Sequence, residues 1–201
     1  MDYKKIIVPF LNIQRIQKQA DLFRQKFWND SIPVEIEDII DLKLKLDIIP
    51  LKELLRLCDT DALITSNWDS IYVDYDKYLD DRYRNRLRFS FAHEIGHFIL
   101  HKNIYTSFGI KNLTDFYRLI EQIPHEQYGY LETQANKFAN HLLVPRNKLI
   151  LERRKAIDRN KHYNLKKIDI KTLNSYLAIP ISKIFGVSEE VIEIALSDIG
   201  Q

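Results

Sequence analysis

The sequence predicts an α+β protein, mostly helical, with a small antiparallel sheet packed on its strongest helix. Three observations carry this. Long stretches repeat apolar residues every three or four positions, the period of an amphipathic helix. Two β-rich runs, Ala62-Leu63-Ile64-Thr65 and Ile71-Tyr72-Val73, flank Asn67-Trp68-Asp69 and read as a hairpin. The 201 residues, 45% hydrophobic and 29% charged with 5 Gly and 6 Pro, suit one domain with a core, or one with a small appendage.

The elements follow in order. Asn12 is placed to cap a helix reaching Trp28, with Ile13, Ile16, Ala20, Phe23 and Phe27 on one face. Ser31-Ile32-Pro33 ends it, and a short helix from Val34 to Leu42 is expected next. Leu44 to Ile49 alternates with Lys45 and Asp47, as a half-buried strand does, and a helical turn spans Leu51 to Leu57. Asp80-Asp81 oppose a helix dipole's positive end and open the strongest helix, Arg82 to His101. A long connection, Lys102 to Gln127, holds a helix near Leu113 to Ile120 and is a candidate lid. The next strong helix runs from Tyr130 to Leu143 and is stopped by Pro145. Residues 1–150 are read as the main domain and residues 151–201 as a basic, helical C-terminal extension.

Bulk properties narrow the field. A net charge of +2 sets up no global field for nucleic acid or membrane. One cysteine, Cys58, excludes an intramolecular disulfide and fits a reducing compartment. The apolar stretch Ile6 to Leu11 is interrupted by Pro9 and is too short for a signal-peptide core. No run approaches the ~20 apolar residues of a membrane span, so a cytoplasmic protein without membrane contact is expected.

The chemistry lies in His93-Glu94-Ile95-Gly96-His97. Histidines four apart on a helix project from one face on successive turns, a spacing that lets both hold one Zn²⁺. Glu94, beside the metal axis, is placed to take a proton from a water rather than to ligate. Leu87, Phe91, Ile95 and Phe98 form the stripe that buries the helix. Gly96 weakens a helix by roughly 1 kcal/mol relative to Ala, so something must pack closely against it. Random placement of these residue types gives the pattern in about one of a hundred such chains. The plainer alternative, a buried histidine pair, does not need a glutamate at the second position.

Two histidines leave a catalytic zinc one protein ligand short. His101 lies about 12 Å along the helix axis from His93, too far to share the ion, and suits an outer role. The better third ligand is Glu132 on the next strong helix, where Ala135 and Ala139 allow close approach. Asn136, one turn on, is placed to hydrogen-bond a zinc histidine. A solvated acid at a helix start is the alternative for Glu132. Tyr128, Tyr130, His125 and His101 are candidates for stabilising an oxyanion, and Arg88 for holding substrate.

Arg88-Phe89-Ser90-Phe91-Ala92, leading into His93 to His101, resembles the signature of the ImmA/IrrE family of metallopeptidases. So does the run from Glu132-Thr133-Gln134-Ala135-Asn136 to Val144-Pro145. The hairpin, Pro33-Val34-Glu35-Ile36 and Lys183-Ile184-Phe185-Gly186-Val187-Ser188 fall at similar places in that family. The resemblance implies a zincin-like fold, one Zn²⁺ per chain held by His93, His97 and Glu132, and Glu94 as base. Many members carry an acid where this chain has Gln134, which removes a rival ligand. It further implies an endopeptidase of narrow specificity that cleaves or inactivates a helix-turn-helix repressor encoded nearby. The alternative is a non-catalytic zinc-containing module that sequesters a repressor or antitoxin partner.

Weaker signals surround this core. From Arg146 to Lys171 ten Lys or Arg face three acids, a pattern shared by solvated helix faces and nucleic-acid footprints. Two helices within Leu177 to Ile199, joined at Phe185-Gly186-Val187-Ser188 with Ser188 as cap, resemble a helix-turn-helix. The second reads Glu189-Glu190-Val191-Ile192-Glu193, acidic where a recognition helix meets phosphates, so direct DNA binding is not expected.

Overall fold

The computed structural model describes residues 3–160 and 168–199. Its first long helix, α1 (Ile13–Phe27), starts at Asn12, whose side chain accepts the Arg15 N–H at 2.9 Å. Ile16, Ala20 and Phe23 face inward. A short helix, α2 (Ile36–Asp38), continues as π-helix through Ile39–Leu44 and stops at Lys45, which takes the left-handed conformation. Leu44 is therefore helical, and strand β1 (Asp47–Leu51) begins three residues later. The fully buried Ile36, Ile39 and Ile40 explain the difference. Their helical spacing carries the coil past the point where alternation suggests a strand.

After α3 (Leu54–Cys58) come β2 (Ala62–Ile64) and β3 (Ser70–Asp74), joined as the expected hairpin. The sheet order is β1-β3-β2. The sheet is mixed rather than wholly antiparallel, because β1 pairs with β3 in parallel. The turn residues encode the local β2–β3 reversal only; the direction of β1 depends on a crossover through α3 that no short-range signal specifies. Asp74 fastens the end of β3, accepting the Leu55 N–H at 3.0 Å and the Lys77 N–H at 3.2 Å. Lys77 lies on α4 (Tyr75–Tyr78).

The helical layer is built on α5 (Arg84–Leu100) and α8 (His125–Leu143). The connection between them folds as α6 (Lys102–Phe108) and α7 (Leu113–Gln122). Tyr105, Phe108, Phe116 and Leu119 are buried there, so the expected lid is a packed part of the core. The chain closes with α9 (Arg146–Arg159), α10 (Ile170–Phe185) and α11 (Glu189–Ile199). Part of the basic stretch, residues 161–167, lies outside the described residues. Ser188 caps α11, its hydroxyl accepting the Val191 N–H at 3.4 Å. The C-terminal pair is tied back to α5 and α8. Asn140 donates to the Val191 carbonyl at 3.0 Å, and Arg146 pairs with Asp198 at 2.9 Å. No described helix is long and apolar enough to cross a membrane.

Arg88 is central to that fastening. It is 3% exposed, donating from Nε to the Gly186 carbonyl at 3.0 Å and from Nη2 to the Val34 carbonyl at 2.6 Å, and it pairs with Glu35. The expectation that Arg88 helps hold substrate is thereby corrected, since its donors are spent inside the fold. Gly186 ends α10 at φ +62, where any side chain would be strained and would also crowd the guanidinium.

α5 and α8 approach tightly at Gly96. A Cβ there would meet the Ala135 Cα at 3.0 Å and the Ala135 carbonyl oxygen at 3.1 Å, both backbone atoms. The contact anticipated from an isolated helical glycine is thus the second helix itself. Gly96→Ala should lower stability by about 1–3 kcal/mol through overpacking, despite gaining ~1 kcal/mol of helix propensity. Urea unfolding checks this; an unchanged or raised midpoint would show that the helices can separate freely.

Candidate metal centre

The crossing brings three side chains to one point. His93 Nε2 and His97 Nε2 lie 3.0 Å apart. The Glu132 carboxylate faces both from α8, at 3.2 Å from His93 Nε2 and 3.5 Å from His97 Nε2. Glu94 is also near: its carboxylate and the two imidazoles offer donor atoms within 4.8 Å of one another. One Glu94 oxygen, however, accepts the Ile64 N–H of β2 at 2.8 Å. That bond holds the carboxylate beside the cluster, while Glu132 sits directly against the Nε2 atoms.

An outer layer of hydrogen bonds sets which imidazole nitrogens face the centre. Pro9 contributes a carbonyl, which can only accept, and Gln134 donates its amide N–H to it at 3.0 Å. The Gln134 carbonyl therefore faces His101 Nε2 at 3.0 Å and accepts its N–H. Burial, then the neighbouring His97, push His101 down to about 3, so it remains neutral and its Nδ1 accepts. His97 Nδ1, 3.0 Å away, is then the donor, and His97 Nε2 presents a lone pair inward. His93 is set independently, with its Nδ1 2.8 Å from the Asn136 carbonyl oxygen. The Tyr105 ring packs over His97, centroids 5.0 Å apart at 31°.

Two imidazole lone pairs and a carboxylate pointing at one another repel unless a positive charge lies between them. Without a metal that charge is a proton. Burial opposes it, but the Glu132 hydrogen bond and the Glu132 and Glu94 charges push His93 up to about 9. Burial raises the Glu132 carboxyl, but the bond from the protonated His93 and its positive charge hold it far below the usual carboxylate range. The same field suits a divalent cation in the proton's place, and nitrogen, nitrogen and oxygen donors suit zinc. The residues present fit a metal.

The other candidates divide clearly. Tyr128, one turn before Glu132, is raised first by burial and then by the charges of Glu132 and Glu94, so its hydroxyl stays protonated beside both carboxylates. Tyr130 is exposed and hydrogen-bonds Glu126 at 2.6 Å. His125, exposed at the start of α8, lies about 10 Å along the axis from Glu132. The structure leaves both outside the cluster. Sequence reasoning missed the parts played by Gln134, Pro9 and Ile64. A glutamine on the face that carries Leu131, Ala135 and Phe138 is the one available hint for the first; the other two act through backbone atoms.

If the relay orients His97, Gln134→Leu should weaken Zn²⁺ binding about 10–100-fold with helical content retained. Competition with a chromogenic chelator measures this, and unaltered affinity would remove the relay's assigned part.

Residues 79–197 match the family model described as Peptidase_M78, IrrE N-terminal-like domain, over more than half of the chain. Comparison with curated proteins gives no significant match. The matched span takes in α5, α8 and the whole cluster they form, and the chain belongs to this family of metallopeptidases, the IrrE N-terminal-like domains.

Proposed function

We propose that the chain is a zinc-dependent endopeptidase of narrow specificity, acting in the cytoplasm on a helix-turn-helix repressor or related regulator encoded nearby. The observation that carries the catalytic part is the pairing of a metal-type cluster with a separately held carboxylate. His93, His97 and Glu132 converge on one point, while Glu94 is hydrogen-bonded to β2 beside it. A structural metal needs no such base. The repressor as substrate follows from the family resemblance, and so does one zinc per chain.

In this reading His93, His97 and Glu132 hold the ion, and Asn136 and His101 fix the two imidazoles. When bound, zinc would polarise the scissile carbonyl and lower the pKa of a water beside it. Glu94 takes up that water's proton and returns it to the leaving amine. Burial raises the Glu94 carboxyl above its ordinary value, which brings its proton affinity closer to that role. Tyr128 donates its hydroxyl to the oxygen that gains negative charge.

Purified protein should contain about one zinc per chain, falling sharply in His93→Ala and Glu132→Ala. Loss of metal binding in neither variant would sink the ligand assignment. Glu94→Gln should keep its zinc but cleave the repressor of the neighbouring locus about 10²–10⁴-fold more slowly. Full biological activity of that variant would instead favour a module that sequesters its partner. Tyr128→Phe should retain metal and KM while losing about 100-fold in kcat. An unchanged kcat would assign the oxyanion to another donor.

A further inference from the structure

A cavity of about 870 Å³ lies beside the metal cluster, and on each helix it follows the face that carries the metal-binding side chains. On α5 it is lined by Ser90, Phe89 and Arg86, which stand three, four and seven residues before His93. On α8 it is lined by Asn136 and Asn140, four and eight residues after Glu132, with Lys137 between them. Such spacings keep each set on one side of its helix. Asn136 also bonds His93 Nδ1 at 2.8 Å, so the cavity and the metal centre are contiguous. The cavity therefore leads away from the cluster along the α5–α8 seam for roughly 10–12 Å. That is the length of about three residues of extended chain.

Its chemistry is apolar between balanced charges. Asp61 pairs with Arg86, and Arg146 with Asp198, which leaves Lys137 and Glu190, one of each sign. Charge thus gives the walls little to select by. Phe89 supplies an apolar surface from α5, and α11 adds Val191 and Ile194. Ile194 is 51% exposed, a large side chain that the core does not use. A peptide backbone entering here would still need hydrogen bonds for its N–H and C=O groups. Thr133 and Asn136, both exposed on α8, offer a hydroxyl and an amide for them.

We propose that this cavity is the part of the substrate cleft that takes the peptide on one side of the scissile bond. Phe89 and the α11 residues Val191 and Ile194 select a large apolar side chain within three residues of that bond. The assignment rests on the peptidase reading of the metal centre and gives the C-terminal helix pair a share in specificity.

Calorimetric titration of the zinc-loaded chain with acetohydroxamate and 4-phenylbutanohydroxamate tests this. Both carry the same metal-chelating end, and only the second has an apolar tail to lay in the cavity. The tailed compound should bind at least about tenfold more tightly, the gain expected from burying a phenyl ring. Ile194→Asp and Phe89→Ala should each remove most of that advantage. Ile194 is half exposed, so its variant carries the test even if Phe89→Ala fails to fold. Equal affinities in the parent chain, or an advantage kept in Ile194→Asp, would overturn the cavity's part and leave the metal centre standing. Binding of neither compound would overturn the metal reading, and the cavity's part with it.

Discussion

The absence of one side chain, at Gly96, determines how near two helices can come, and the metal cluster exists only at that separation. A Cβ at this position would meet backbone atoms of Ala135 rather than a flexible side-chain end. A larger residue would press on the backbone of α8, the helix that carries Glu132. Packing and chemistry are therefore one constraint here. Leu87, Phe91 and Ile95 bury α5, Leu131, Phe138 and Leu142 bury α8, and the seam between them holds the polar residues. The apolar stripes provide the stability, and the seam provides the geometry.

Around the seam, buried polar groups are satisfied in series. His101 is inaccessible and neutral, and its two nitrogens bond His97 and Gln134. Such a chain is expensive to break at any link, because each loss strands a buried partner. It also gives each imidazole a single orientation before any metal arrives, which lowers the cost of assembling the cluster. Glu94 is preset differently, through a strand backbone N–H.

The sequence made legible whatever depends on local periodicity or on spacing within one helix. The pentad at His93, the Asn12 cap, the hairpin and the tight contact at Gly96 were all readable from residues close in the chain. Glu132 was nameable because small residues on its face announced a close helix–helix approach. What stayed hidden depended on non-local pairing or on backbone atoms. The parallel direction of β1 comes from a crossover, the π-helical extension to Leu44 from three buried isoleucines, and the inward turn of Arg88 from carbonyls of two distant segments. Alternation and charge are poor guides at such places, because the partner that decides the outcome is remote in sequence.

The Pro9 carbonyl at the end of the relay joins the N-terminal segment to the metal centre. That segment is anchored on the α6–α8 side of the fold: Tyr3 donates to the Phe108 carbonyl at 2.7 Å, and Val8 to the Gln127 side chain at 2.7 Å. Thermodynamic reciprocity then applies. Whatever strengthens the docking of residues 3–9 also strengthens the grip on the ion, by the same factor, and an ion seated at His97 holds the segment down in return. The start of the chain is thus a remote determinant of metal affinity, reached through three side chains and a single carbonyl.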